Sequence, residues 1–288
     1  MEPIYKWSGG KRKDIKFFKE YLPKYVINKE KYKFVEPFFG GGAVYWYLEN
    51  NNSIINDVDI ELINFLKTLK TNTDEISNII DILSKNIEDI TKIEKSKIIS
   101  ISDAKTQRGE FFYEWRNKDR NKGLVNLSNI DRAARFYIVN QLAFNGMRRF
   151  NSSGEFNVPY GNYKSFHKQW TKEHLELLNN TIINCGDYKN IIIDNDDENT
   201  FIFIDPPYTR EFSEYSPENS FGVDKQVELS KIFKSASKCD IMIVINKDEF
   251  TTELYKDYIT YEYDFKYATN IKNRYSNEVK HLVITNYK

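Results

Sequence analysis

The residues with the clearest chemical potential form one tetrapeptide, Asp205, Pro206, Pro207 and Tyr208, which directly follows the apolar run FIFI. Proline fixes its own φ and restricts the residue before it, so Asp205 and Pro206 are held in one extended conformation. A carboxylate and a carbonyl held side by side can accept hydrogen bonds from both protons of an exocyclic amine and make its nitrogen nucleophilic. The phenol of Tyr208 can stack on a base that has left its duplex. This set predicts methyl transfer to an amine, in line from a sulfonium donor, with catalysis by positioning and electrostatics.

The element that must position the tetrapeptide is a buried strand. The apolar run 201–204 lies between Asn199-Thr200 and the two prolines, a pattern typical of a fully buried strand that stops abruptly. Similar short apolar segments, several of them separated by helical patterns, indicate an α/β sheet. We expect strands near residues 34–36, 53–60, 181–185, 241–246, 259–265 and 279–285, and helices at 172–179 and 225–236.

A glycine-rich turn follows the first predicted strand. Glu36, Pro37 and Phe38 lead into three consecutive glycines, 40–42, and then an apolar segment that can form a helix. Glycines let the backbone approach a ligand closely, and a helix N-terminus favours negative charge or acceptor atoms. The dinucleotide fingerprint G-x-G-x-x-G is not matched. The turn alone is therefore a weak sign of a cofactor site.

Two acids at the end of the second strand extend this interpretation. Nucleotide-binding sheets place an acid that binds ribose hydroxyls about twenty residues beyond the glycine loop, and Asp57 or Asp59 fits that position. Asp59 fits equally well as the N-cap of a helix that starts at Ile60. The sequence leaves both roles open for Asp59.

The middle of the chain has helical rather than strand-like apolar spacing. Helical apolar spacing at residues 62–69 and 133–138 flanks a lysine- and isoleucine-rich stretch, 74–102, that could form a solvated helix pair. We interpret 61–164 as a largely helical insertion that divides a catalytic domain into 1–60 and 165–288. Its last part, about 141–163, mixes turn signals, cations and aromatic residues, as a hairpin that contacts nucleic acid would. A surface hairpin with buried phenylalanines explains that segment equally well.

Composition limits the remaining possibilities. The 42 basic and 42 acidic residues balance, so nucleic-acid affinity must come from local patches. Cys185 and Cys239 lie far apart and outside any CxxC, and the three histidines are scattered, which argues against a disulfide scaffold or a metal centre. The N-terminus has no apolar signal region and no apolar run has membrane length, so we expect a soluble, intracellular protein. Abundant Asn, Ile, Lys and Tyr are typical of an AT-rich bacterial, phage or viral genome.

Five segments taken together resemble one family. The motif order of the Dam-like, D12 class, adenine-N6 DNA methyltransferases is kept in KWSGGK, FVEPFFGGGAV, NDVDIELIN, FNGMRRFNSSGEFNVPYGNYK and DPPY. The resemblance spans nearly the whole chain and is weakest between about residues 69 and 110. It implies an α/β fold, a Rossmann-like S-adenosylmethionine-dependent methyltransferase sheet with an inserted helical DNA-recognition subdomain that carries a β-hairpin.

The resemblance also implies site residues. The expected methyl donor is S-adenosylmethionine, with S-adenosylhomocysteine as product and no metal. Carried over by position, the cofactor-binding residues are Trp7, Lys11, Glu36, Pro37, Phe38, Gly40, Gly42, Asp57, Asp187, Tyr188 and Asp205. The catalytic residues are Asp205, Pro206, Pro207 and Tyr208. The expected DNA contacts are Lys6, Phe144, Asn145, Met147, Arg148, Arg149 and Pro159.

The expected substrate is double-stranded DNA, methylated at the adenine of GATC, because Dam-like enzymes read that sequence with the hairpin. Where the family usually has Arg and Gly, this chain has Gln141 and Ala143. That departure bears on the recognised sequence and leaves the catalytic assignment intact. A restriction endonuclease acting on the same sequence is a candidate partner, and we expect no membrane partner.

Three alternatives stay open. Methylation of cytosine N4 would use a similar amine on the same scaffold, although Asp rather than Ser heads the tetrapeptide. A catalytically inactive Dam-like protein would bind DNA without modifying it, but Asp205, Tyr208, Gly40 and Gly42 are all retained. Methylation of RNA or of a protein glutamine would not need a hairpin that reads a duplex.

Overall fold

The computed structural model describes residues 1–207, 221–266 and 278–288. These residues divide into two compact units. One unit, here called the helical unit, comprises Met1–Gly9 and Asp59–Asn179. The other, the sheet unit, comprises Gly10–Val58 and the described residues from Asn180 onward. Tyr208 lies outside the described residues.

The sheet unit is built on one seven-stranded sheet within the described part of the chain. Its strands are β1 (Lys33–Glu36), β2 (Ser53–Asp57), β3 (Thr181–Cys185), β4 (Thr200–Ile204), β5 (Asp240–Asn246), β6 (Ile259–Lys266) and β7 (Glu278–Thr285). They lie in the order β3-β2-β1-β4-β5-β7-β6. The first five are parallel, whereas β7 runs antiparallel to both β5 and β6. The mixed α/β fold and the predicted strands are thus confirmed, except that the second strand, predicted over 53–60, ends at Asp57 because Asp59 caps the helix that begins at Ile60.

Burial explains why β4 and β5 read as continuous apolar runs. Every residue of β4 is buried, and so are the five central residues of β5. Strands of a parallel sheet that is covered on both faces need apolar side chains on both sides, so period-two alternation disappears. The core around them is formed from both halves of the sheet unit and includes Val35, Ile202, Ile204, Ile243 and Phe233.

The helices of the two units differ in length. Those of the sheet unit are α1 (Ile15–Phe18), α2 (Lys24–Ile27), α3 (Ala43–Leu48), α9 (Tyr188–Ile193), α10 (Val223–Ser235) and α11 (Glu249–Tyr255). Those of the helical unit are α4 (Ile60–Thr71), α5 (Thr73–Lys95), α6 (Ile101–Arg116), α7 (Asn129–Leu142) and α8 (Lys172–Asn179). Among the helices in the described ranges, none combines the length and apolar character needed to cross a bilayer.

The helical unit packs around aromatic side chains. Phe65 of α4 stacks on Phe136 and Tyr137 of α7, with ring centroids 5.2 and 5.5 Å apart. The stretch 74–102 forms one long helix, α5, followed by the separate α6, so a helix pair within that stretch is wrong. Three isoleucines of α5, Ile76, Ile80 and Ile87, are buried on one face, whereas Ile82 and Ile93 are exposed.

The segment after α7 carries two isolated antiparallel bridges, Ala143 with Tyr160 and Phe150 with Phe156. Backbone hydrogen bonds add to them: the Asn157 N–H donates to the Arg149 carbonyl at 2.9 Å. Asn145 has φ of 53°, in the left-handed region that asparagine tolerates. The two halves of this segment are therefore paired locally, with a tight turn after α7.

Candidate active site

The carboxyl ends of β1 and β4 define the place where a ligand is expected. These two strands are parallel neighbours, and the chain leaves β1 toward β2 but leaves β4 toward β5 on the other side. In open α/β sheets the crevice at such a reversal of strand order is the ligand-binding position. The glycine turn follows β1 and the tetrapeptide follows β4, so the topology brings both predicted motifs to this edge.

The glycine turn has the backbone that only glycine adopts easily. Gly40 and Gly42 have φ of 48° and 61°. A Cβ on Gly42 would lie 2.3 Å from the ring of Phe39, so there is also no room for a side chain. The Gly40 N–H donates to the Asp57 carboxylate at 2.8 Å. The end of β2 therefore holds the turn after β1 in place.

Asn56 is a site residue that sequence reasoning missed. Its side-chain NH2 group donates to the backbone carbonyls of Pro37 and Gly186 at 3.0 and 2.9 Å. The backbone carbonyl of Asn56 accepts the Phe39 N–H at 2.9 Å. Asn56 thus ties the turn after β1 to the turn after β3. The sequence pointed to its neighbour Asp57 as a ribose-binding acid. Hydrogen bonds from a side chain to two backbone carbonyls, as Asn56 makes, leave no signal in residue type or spacing.

An aromatic wall lies beside this turn. The rings of Phe38 and Tyr188 stack with centroids 4.8 Å apart, and Phe221 meets Phe38 edge-on at 5.4 Å. Desolvation by burial and the Glu228 carboxylate raise the pKa of Tyr188, so its phenol stays neutral and donates to Glu228 at 3.1 Å. Asp187 is exposed and caps α9, accepting from the Lys189 N–H at 2.9 Å. Flat apolar faces of this kind suit an adenine ring.

The strand end after β4 presents Asp205 beside a buried cation. The ammonium of Lys11, only 2% exposed, donates to Oδ1 of Asp205 at 2.7 Å. Desolvation raises the pKa of Asp205, and the Lys11 charge opposes that effect. Pro206 is buried, and the carbonyl of Pro207 accepts from the Gln226 side chain at 3.2 Å. Both prolines are therefore anchored next to the carboxylate.

Several carboxylates share this edge of the sheet. Glu36 is 3% exposed, and its Oε2 accepts the Tyr45 N–H at 3.2 Å. Burial raises the pKa of Glu36 well above its ordinary value, and the charges of Asp205 and Asp57 raise it further. An acid-rich, poorly solvated edge favours a cationic ligand. The residues present therefore fit a cofactor with a sulfonium and an ammonium group.

Most predicted DNA contacts lie on the surface of the helical unit. Phe144 is 42% exposed, Asn145, Arg149 and Pro159 are exposed, and Met147 is half-buried. All of them belong to the two paired segments after α7. These side chains are therefore accessible to a ligand, and local backbone pairing holds the segments that carry them.

Arg149 is held in an ordered position on that surface. Its Nε donates to the Asn157 side-chain oxygen at 2.8 Å, and Nη2 reaches the Asn157 carbonyl at 3.4 Å. The guanidinium remains exposed. A fork oriented in this way suits bidentate recognition of a guanine edge.

Lys6 and Trp7 also belong to the helical unit. The backbone of Lys6 exchanges two hydrogen bonds with the Asn140 side chain, at 3.0 and 2.7 Å. Its ammonium donates to the Gln141 carbonyl at 2.5 Å and lies 3.7 Å from the Tyr163 ring centroid. Desolvation lowers the pKa of Lys6 to about 8. Trp7 meets the Tyr5 ring edge-on at 6.0 Å; the other ten expected cofactor residues belong to the sheet unit.

Arg148 is placed differently from its neighbour Arg149. It is buried and forms an ion pair with Asp59, which also caps α4 through the Glu61 and Leu62 N–H groups, each at 3.0 Å. Its guanidinium lies 4.9 Å from the ring centroid of Phe136. Of the two roles open for Asp59, the helix cap is therefore observed.

The chain is similar to known proteins along nearly all of its length. A family model described as D12 class N6 adenine-specific DNA methyltransferase matches residues 7–272. The Type II methyltransferase M.CviBI of Paramecium bursaria Chlorella virus NC1A is 34% identical, with 100% of both chains covered. The Type II methyltransferase M.MjaIII of Methanocaldococcus jannaschii is 31% identical over 100% of this chain and 99% of its own. The DNA adenine methylase of Escherichia coli K12 is 28% identical over 87% of this chain and 83% of its own.

Proposed function

Since this chain belongs to the D12 class of N6 adenine-specific DNA methyltransferases, we propose that its target is the adenine of GATC in duplex DNA, methylated after the base has left the helix. As a member it is a DNA adenine methyltransferase that depends on S-adenosylmethionine. The observation that carries the residue assignment is the Asp205 carboxylate, held by Lys11 at the end of β4 beside the glycine turn.

The cofactor would lie against the turns that follow β1, β2 and β3. Asp57 would accept from ribose hydroxyls while its other contact holds Gly40. Phe38 and Tyr188 would face the cofactor adenine. A bound cation would favour the ionised form of Glu36, whose pKa burial raises, and the carboxylate would then offset the positive charge. When bound, S-adenosylmethionine supplies a methyl group on a sulfonium sulfur.

The target amine would be bound by Asp205 and Pro206. Oδ1 of Asp205 already accepts a hydrogen bond from Lys11. We therefore assign Oδ2 as the acceptor for one amine proton and the Pro206 carbonyl as the acceptor for the other. These bonds would draw the nitrogen lone pair out of the ring system and make the nitrogen nucleophilic. The Lys11 charge favours the ionised form of Asp205 against the effect of burial, and the carboxylate would stabilise the positive charge that develops on the nitrogen. Tyr208 would stack on the extruded base.

The helical unit would read the DNA. Arg149 would contact a guanine edge, and Phe144, Asn145, Met147 and Pro159 would surround it in the duplex. Lys6 and Arg148 complete the proposed set, Lys6 as a contact to a guanine. We therefore assign recognition to 61–164 and catalysis to 1–60 and 165–288.

The relatives named Type II methyltransferases add one element to the proposal. We include a restriction endonuclease acting on the same sequence as a partner. Co-expression provides the test, since such a nuclease would cut host DNA only when the methyltransferase is inactivated.

The test of substrate and sequence uses labelled S-adenosylmethionine and short duplexes. A GATC duplex, a duplex with one base pair of the site changed and an adenine-free duplex are compared, and the labelled nucleoside is identified after digestion. We expect N6-methyladenine from GATC alone. Label in N4-methylcytosine, or equal labelling of the changed duplex, would refute the proposed target, and binding of the cofactor without any labelled product would show an inactive protein.

A further inference from the structure

Close to Lys11 in the chain lies a buried carboxylate, that of Asp14, which the proposed chemistry does not use. Asp14 is 2% exposed and follows the short 3-10 segment Lys11–Lys13, with its N–H donating to the Lys11 carbonyl at 2.9 Å. The Lys11 ammonium binds Asp205, and its charge lowers the pKa of Asp14. One buried cation thus acts on two carboxylates, of which Asp14 is buried and Asp205 is partly exposed.

The antiparallel pair β6 and β7 encloses Asp14. The phenol of Tyr263 donates to Oδ2 of Asp14 at 3.0 Å, and Nδ1 of His281 lies 3.8 Å from the same oxygen. Tyr263 stacks on Phe17 with ring centroids 4.8 Å apart and on His281 at 5.2 Å. Burial, with the Lys11 charge, lowers the pKa of His281 to about 3, so this imidazole is neutral at ordinary pH.

We propose that Asp14 is a positioning residue for the methyl transfer, which draws on the charge of Lys11 and so leaves the Asp205 carboxylate free to accept from the target amine. The inference rests on the proposed role of Asp205. With Asp14 ionised, Lys11 divides its attraction between two carboxylates and the cluster carries a net negative charge. With Asp14 protonated, Lys11 binds Asp205 alone and the cluster is neutral, which weakens Asp205 as an acceptor and removes the negative charge that favours a cationic transition state.

The groups around Asp14 bring its pKa into the pH range in which enzymes commonly work. Desolvation by burial raises its pKa to about 6, and the Asp205 charge acts in the same direction. Lys11, the Tyr263 hydrogen bond and Lys16 act in the opposite direction. Turnover should therefore decrease as the pH falls through about 6.

The first experiment measures kcat against pH under saturating cofactor and DNA for the wild type, Asp14→Asn and Tyr263→Phe. Asp14→Asn keeps the shape and an acceptor for Tyr263, so we expect a kcat several-fold below wild type at pH 8 and no decrease near pH 6. Tyr263→Phe removes the bond that lowers the Asp14 pKa, so its decrease should begin at higher pH than in the wild type. Asp264→Asn, an exposed neighbour on β6, is the matched control and should behave as wild type.

A second readout does not depend on catalysis. Carboxyl ¹³C chemical shifts of aspartate-labelled protein without ligands should show one titration with a midpoint near 6, absent in Asp14→Asn. An acidic decrease in kcat that persists in Asp14→Asn and is unmoved in Tyr263→Phe would overturn the inference, and so would the absence of that ¹³C titration in the wild type. A wild type that methylates no DNA while showing the titration would refute the proposed function instead.

Discussion

Two effects act in opposite directions on the charge of the Asp205 carboxylate. Burial disfavours its charge, and Lys11 opposes that effect through a 2.7 Å hydrogen bond. Sequence alone indicated the carboxylate because two prolines follow a buried apolar run, and it indicated Lys11 only through a family resemblance. The contact between them joins residues 194 positions apart, and no local pattern encodes such a distance.

Asp205→Ala should lower kcat by roughly 100-fold or more, as expected when a preorganised hydrogen-bonding group is removed from the reacting atoms. Cofactor affinity should change little, because most of the proposed cofactor contacts lie on the turns after β1 to β3. Single-turnover methylation and calorimetric titration with the cofactor measure the two quantities. Near-normal turnover would show that Asp205 does not bind the target amine.

Arg149→Ala should cost about 1 to 3 kcal/mol of discrimination at one base pair, the range of a bidentate guanine contact. Arg149→Lys is the matched variant, since it keeps the charge but loses the fork that Asn157 orients. Competition between GATC and duplexes changed at each position gives the measurement. Equal weakening on every duplex in Arg149→Ala, with recovery in Arg149→Lys, would identify a phosphate contact instead.

At the scale of elements, the start of α4 and the segment after α7 are joined by one ion pair. Asp59 accepts two N–H groups of α4 and also binds Arg148. Sequence left the cap and a ribose contact equally open for Asp59, and it grouped Arg148 with Arg149, because adjacent arginines on a turn look alike until burial is known. The DNA contact proposed for Arg148 remains a prediction, and its structural contact has a separate test.

Arg148→Met should destabilise the helical unit by about 3 to 5 kcal/mol, because it removes one half of an ion pair whose two side chains are each only 10% exposed. Asp59→Asn retains a good cap, so combining it with Arg148→Met should recover most of the loss. Urea unfolding of the single and double variants gives the coupling free energy. Additive effects of the two substitutions would show that the pair is not coupled.

At the scale of the whole molecule, the strand order explains why distant motifs share one site. Apolar runs and turn residues predicted the strands, because parallel strands covered on both faces need that composition. Asn56, Asp14, Tyr263 and His281 could not be foreseen as parts of the site, since their roles depend on which turns and strands meet. The family resemblance supplied residue roles, whereas the fold supplied the contacts that hold those residues.

The buried carboxylates also make global stability depend on pH. The pKa of Asp14 is raised from 3.8 to about 6 on folding, so the folded chain binds this proton more tightly. Proton binding by Asp14 therefore adds to the free energy of unfolding at low pH. This contribution is complete near pH 4 and is lost as the pH rises through about 6. We expect Asp14→Asn to be more stable than wild type at pH 8 by up to roughly 3 kcal/mol.

Urea unfolding at several pH values measures this difference. The stability gap between Asp14→Asn and wild type should close as the pH approaches the ordinary value of an aspartate, 3.8. Asp264→Asn again serves as the control, because its carboxylate is exposed. A gap that is constant across the pH range would show that Asp14 titrates alike in the folded and unfolded chains.

The measurement that tests the central claim most directly is sequencing, with modified bases identified, of DNA from a methylation-deficient host that expresses this chain. We predict N6-methyladenine at the adenine of GATC throughout the genome, and none in a host that expresses Asp205→Ala. Methylation at a different sequence would contradict the proposed recognition. Unmodified adenine with a folded, cofactor-binding protein, or methylation that persists in Asp205→Ala, would contradict the proposed site.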